Sequence, residues 1–121
     1  MLKNADCTIY ENGGTAANMN ITGRHYVKGV YWLDVRGQTV TRNGMQVSDS
    51  IVVYLYGSDY LPKPGDVIVK GECDFIFDSS SPQDMSASFR QFRTEHPDFV
   101  TVKTVNDCRF GRLKHIEITA R

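Results

Sequence analysis

Nowhere in this chain do eighteen apolar residues stand together, and the opening MLKNADCTIYENGG lacks a charged segment followed by a long apolar run. Neither a membrane-spanning helix nor a secretory signal is expected, and a soluble protein is. Cysteine is scarce: Cys7, Cys73 and Cys108 are odd in number, widely spaced and without a CxxC pair. That pattern supplies neither a disulfide framework nor a zinc motif, and it fits a reducing compartment. Net charge is absent as well. Basic and acidic side chains cancel five against five through Tyr60 and nine against nine from Leu61 onward, so no half of the chain is a polybasic arm or an acidic tail. This argues against non-specific nucleic-acid binding, which needs clustered Lys and Arg to neutralise phosphates. One small exception is the end of the chain, where Arg109, Arg112, Lys114 and Arg121 face only Glu117. A strand edge guarded by charge is the simpler use of that patch; an acidic partner is the other.

Catalytic signatures are missing too. Asn12-Gly13-Gly14-Thr15 lacks the lysine and following helix of a P-loop, GxGxxG does not occur, and Gly57-Ser58-Asp59 is no nucleophile elbow. His25, His96 and His115 are far apart, and none stands at recognised metal-ligand spacing from a Cys, Asp or Glu.

What the chain does have is alternation. Its 121 residues, 40% of them hydrophobic, suit one domain with its own core. In residues 67 to 77, Val67, Val69, Cys73, Phe75 and Phe77 fall on one side and Ile68, Lys70, Glu72, Asp74 and Ile76 on the other, which predicts a half-buried strand. IVVYLY (51–56) is apolar on both faces and reads as a central strand. HYVKGVYWLDV (25–35) reads as a long strand bent at Gly29, where a bulge would turn a barrel corner. CTIY, FVTVKTV (99–105) and HIEITA (115–120) bring the tally to six, with Ile116, Ile118 and Ala120 pointing inward and Gly111 turning the last pair.

A single helix is predicted over 82–95, with Ser81 as N-cap, Pro82 at its first position, Asp84 three residues after the cap and Pro97 beyond its end. Met85, Phe89 and Phe92 form the narrow stripe that should lie against the open end or side of the sheet. The fold expected is therefore mainly β: a small barrel, or tightly curled antiparallel sheet, of six strands with one helix. Residues 11–23 and 36–50 are polar and glycine-bearing and are expected to be mobile loops, although Asn43-Gly44 is also a hairpin signal.

YLPKPGDVIVKGECDFIFD (60–78) gathers Asp66, Glu72 and Asp74 around Lys70. A restriction-type nuclease would need an acid and a separate acid-x-lysine element to hold a metal, whereas here the lysine is on the wrong side of Glu72-Cys73-Asp74. Period two puts these charges on one outer strand face, and they read as a solvated surface after a Pro-Gly turn. Trp32 with Tyr26, Tyr31, Tyr54 and Tyr56 could build a stacking platform for single-stranded nucleic acid on an OB-like barrel; core or cross-strand packing is the simpler use. No catalytic, cofactor-binding or metal-binding residue is predicted, and the chain reads as a non-enzymatic binding or structural domain.

Four segments go further: ADCTIYENGG, HYVKGVYWLDVRGQTVTRNGMQVSDSIVVYLY, YLPKPGDVIVKGE and FVTVKTVNDCRFGRLKHIEITAR. In this order, and most tellingly in YVKGVYW, NGMQVSDS, P-x-x-GD-x-IVKG and HIEITAR, they resemble a family of small tailed-bacteriophage proteins. These are the minor capsid or minor structural proteins of phages and prophages of Gram-positive gut bacteria. The resemblance implies a head-completion (stopper-like) component of the neck between portal and tail. It would be a β-barrel that self-associates into a ring, of six copies, with loops directed into the channel or onto adjacent rings. Its partners would be portal, adaptor and tail proteins, with contact to packaged DNA and none to membrane, and its place the virion neck after assembly in the host bacterial cytoplasm. Arg36 and Arg42 are then the expected loop contacts to a portal, tail or DNA surface. The alternative is an OB-like binding domain for nucleic acid or a host protein.

Overall fold

The computed structural model describes residues 3–15, 18–34, 50–57, 60–110 and 114–121. Its strands are β1 (Ala5–Asn12), β2 (Ile21–Asp34), β3 (Ile51–Leu55), β4 (Val67–Lys70), β5 (Val100–Cys108) and β6 (His115–Ala120), with the helix α1 (Pro82–Glu95) between β4 and β5. They close into an antiparallel barrel in the order β1-β2-β3-β6-β5-β4, with β4 returning to β1. Closure is what alternation over six short strands calls for, because it leaves no strand edge unpaired.

Two apolar cores result. Inside the barrel lie Ile9, Val30, Trp32, Ile51, Val53, Leu55, Ile68, Val102, Ile116, Ile118 and Ala120 with their neighbours. Outside it, the opposite faces of β1 and β4 present Tyr10, Val67 and Val69 to Met85, Phe89 and Phe92 of the helix. The helix thus lies on the side of the sheet, and its cap is as expected: the Ser81 hydroxyl accepts from the Asp84 N–H at 3.1 Å.

The bend in β2 is a bulge at Gly29, whose φ is +68°. Between the pairs Ala5↔Val30 and Cys7↔Val27, one residue of β1 faces two of β2. That residue is Asp6. Its carboxylate accepts from the Gly29 N–H and from the Tyr26 hydroxyl, both at 2.9 Å, so a side chain satisfies what the ladder leaves open.

Three expectations are corrected. The strand predicted over 67–77 ends at Lys70. Gly71, at φ +89°, turns the chain out of the ladder, and the Thr8 hydroxyl holds the exit by donating to the Gly71 carbonyl and accepting from the Cys73 N–H. Beyond that turn Cys73, Phe75 and Phe77 still pack beneath the helix, so the alternation was right about the side and wrong about the strand. Ile68, read as outward, is fully buried inside the barrel, because β4 is covered on both faces. Residues 11–23 are not all loop: Glu11 and Asn12 belong to β1 and Ile21 to Gly23 belong to β2. The second expected loop, 36–50, lies outside the described residues except for Ser50, and so does the expected turn at Gly111.

Candidate functional site

The charged cluster of 66–74 does not share one face. Asp66 is 0% exposed, which overturns its reading as a solvent-facing residue. Its carboxylate accepts from the Tyr60 hydroxyl at 2.6 Å, the Lys63 N–H at 3.1 Å and the Asn12 N–H at 3.0 Å, and the Lys63 ammonium stands 3.3 Å away. Pro64-Gly65 forces a tight turn just before β4, and the carboxylate folds back to cap it, much as an Asx turn does. Glu72 and Asp74 are exposed; Asp74 pairs with Arg24 at 3.3 Å, while Lys70 lies over the Trp32 ring. Asp66 is therefore a structural anchor in a different environment from the other two acids.

Asn12 extends that anchor into the β1–β2 connection. Its side-chain oxygen accepts from the Gly14 and Asn20 N–H groups at 2.9 and 3.0 Å, and its amide donates to the Thr15 and Gly65 carbonyls. One buried asparagine thus organises both ends of the connection and ties them to the turn before β4. Among the described residues no buried side-chain nitrogen or oxygen lacks a partner.

A cleft of about 580 Å³ opens beside this anchor, lined by Arg24, His25, Tyr26, Lys28, Tyr56 and Tyr60. His25 stacks on Tyr60 at 3.9 Å between ring centroids, and its Nε2 lies 3.3 Å from a Glu11 carboxylate oxygen. Burial, and then the Asp66 carboxylate, push the Tyr60 hydroxyl well above the usual phenol range, so it stays a donor at neutral pH. The five aromatic residues considered as a stacking platform do not form one. Trp32 is inside the barrel and Tyr26 is tied to Asp6, which leaves Tyr31 stacked on Tyr54 at 5.9 Å, with Tyr54 and Tyr56 both packed against His115.

His96 caps the end of α1, with Nε2 3.4 Å from the sulfur of Cys73. That sulfur is buried and also meets the Tyr10 hydroxyl at 3.2 Å, while His96 itself is half-buried. His115 stands differently. It pairs with Cys108 across β5 and β6, and Glu117 follows it on the same outer face. Spacing alone concealed this group, because Cys108 and His115 are brought together by the register of a hairpin; the local signal was the alternation His115-x-Glu117. Arg109, counted in the basic chain end, is held by Asp107 through two contacts of 2.8 Å, and Phe110 beside it is 92% exposed. Arg36 and Arg42 lie outside the described residues.

No curated protein and no solved structure matches the chain. A family match covers residues 2–121, and the chain accordingly belongs to the family of unknown function DUF6751.

Proposed function

We propose that the chain is a non-enzymatic structural protein of a tailed-phage neck, a stopper-like head-completion subunit that closes into a ring with copies of itself. The observation that carries this reading is the pairing of Asp34 with Ile51. The two residues are neighbours across the ladder, yet sixteen residues, 35 to 50, join them where two to five would close a hairpin. So long a connection is not needed for the barrel, and a ring component would use it to reach the channel or the next ring. Two apolar side chains give further support. Ile76, 85% exposed beside the helix, and Phe110, 92% exposed just beyond β5, are large apolar side chains open to contact with another subunit. The resemblance of YVKGVYW, NGMQVSDS and HIEITAR to phage minor structural proteins supplies the setting, with portal, adaptor and tail proteins as partners.

The test is native mass spectrometry of the full chain, alone and mixed with portal and tail proteins of a phage or prophage that carries its gene, with negative-stain imaging of any complex. A closed ring of identical subunits seated on the portal assembly is expected. A chain that stays monomeric with those partners and is absent from virions overturns the reading.

The cleft at Arg24 and Lys28 favours the second reading, an OB-like surface for single-stranded nucleic acid. Its two cations would neutralise about two phosphates, giving a salt dependence of affinity with a logarithmic slope of only about −1.4. One face each of His25 and Tyr60 is already used by their mutual stacking. Both observations rank this reading below the first.

A further inference from the structure

We infer that Cys108, His115 and Glu117 form a binding site for a zinc-like divalent cation on the outer face of the β5–β6 hairpin. Their ligand atoms, one sulfur, one imidazole nitrogen and one carboxylate oxygen, all lie within 4.8 Å of one another, and among the described residues no other group of three does so. Two rigid strands hold them. Cys108 and His115 are directly paired, and His115 and Glu117 are two apart on β6, so the register keeps all three on one side. In a tetrahedral zinc centre the donor atoms stand about 3.5 Å apart, so closing this group takes a contraction of at most about 1.3 Å.

The donor set selects the metal. Thiolate and imidazole suit zinc and its neighbours and disfavour magnesium and calcium, which take oxygen. Binding deprotonates the Cys108 thiol and releases one proton, and with the Glu117 carboxylate the two negative charges balance the cation. All three residues are half-buried, so the ion would be partly shielded while keeping a fourth position for water. The Tyr54 and Tyr56 rings, with centroids 5.5 and 6.3 Å from that of His115, wall one side. A cation here would staple β5 to β6 beside the exposed Phe110. The inference is independent of the neck reading.

The test uses the full chain without a histidine tag. Titrated with cobalt(II), it should develop a near-ultraviolet thiolate-to-cobalt band and the visible bands of a four-coordinate ion, saturating at one equivalent and bleached by zinc. Cys108→Ser should abolish the near-ultraviolet band, and His115→Ala and Glu117→Gln should each weaken cobalt binding by more than about tenfold, since even residues that only support metal ligands matter at that level. Absence of the band in the native chain, its persistence in Cys108→Ser, or affinity unchanged by both other substitutions overturns the site. Should Cys108→Ser fail to fold, zinc X-ray absorption on the native chain decides. One sulfur among nitrogen and oxygen neighbours is expected; none, or more than one, refutes the assignment.

Discussion

The hydroxyl of Tyr60 donates to the carboxylate of Asp66 at 2.6 Å, and that carboxylate is wholly shielded from solvent. Through it the turn before β4 is fastened to Asn12 of β1, and through Asn12 to the connection that starts β2. Asp66→Ala would remove the acceptor of the buried Asn12 N–H and the short bond from the Tyr60 hydroxyl, and a buried group left unsatisfied costs about 1–3 kcal/mol. Urea unfolding should show a loss of about 3 kcal/mol, with Tyr60→Phe costing about 1 kcal/mol. An unchanged urea midpoint for Asp66→Ala would show that the anchor is dispensable.

A second prediction concerns the bulge. Gly29 sits at φ +68°, and a Cβ there would meet the Lys3 side chain at 3.0 Å. That side chain is flexible, so the backbone term dominates, and Gly29→Ala should cost about 1–2 kcal/mol. Opposite it, the Gly29 N–H and then the Tyr26 hydroxyl hold the Asp6 carboxyl below its usual range. The carboxylate therefore contributes stability at pH values above the ordinary carboxyl pKa, and this is lost as pH falls through the lowered one. Unfolding followed between about pH 5 and pH 2 should be less pH-dependent in Asp6→Asn.

The outer core predicts a larger effect. Phe92 is fully buried and packs against the rings of Tyr10, Phe75, Phe77, Phe89 and Phe99, with centroids 4.9 to 5.8 Å apart. Phe92→Ala should cost about 3–5 kcal/mol, measured by thermal or urea unfolding. A loss below about 1 kcal/mol would mean that the helix is not fixed to the barrel.

How much of this could be read in the chain follows from where the information is local. The helix bounds, the cap at Ser81, the bend at Gly29 and the inward set Ile116, Ile118 and Ala120 were legible, because period and cap chemistry are properties of adjacent residues. Asp66 was not. Its parity put it outside, and its burial comes from Asn12, 54 residues away, and from the turn that folds it inward. Ile68 was misplaced because a strand covered on one face by the barrel and on the other by a helix has no polar side to betray its orientation. The group of Cys108, His115 and Glu117 likewise needed the β5–β6 register before it could be seen.

The cysteines make a fourth prediction. Burial, and then the Asp6 charge, push the Cys7 thiol from 9.0 up to about 12, while Cys108 is half-buried. Cys73 is buried as well. In the native protein at about pH 8 a thiol reagent should modify Cys108 first and leave the other two until the chain unfolds. A thiol pKa raised by folding contributes stability that is complete below the unfolded value near 9 and declines as pH rises from there to about 12. The alkaline loss of stability should therefore be smaller in Cys7→Ala. Rapid native modification at Cys7 would contradict the burial.

The last prediction tests the neck reading through residues 38 to 46, replaced by a short Gly-Ser bridge. Asp34 and Ile51 are paired, so a connection shortened in this way still closes the hairpin, and loop closure depends only weakly on length, about 0.6 kcal/mol per doubling. The isolated chain should therefore fold with stability within about 1 kcal/mol of the native protein. A ring that relies on this connection to meet the channel or the next ring would fail even so. Phage carrying the deletion should yield heads that leak DNA or lack tails, while the purified subunit shows an unchanged β spectrum. Arg36→Ala with Arg42→Ala, in the intact length, should produce a milder version of the same defect if these two side chains make the contact. Normal virions from the deleted protein would sink the neck assignment, whereas an unfolded subunit would show that the segment belongs to the barrel's own core.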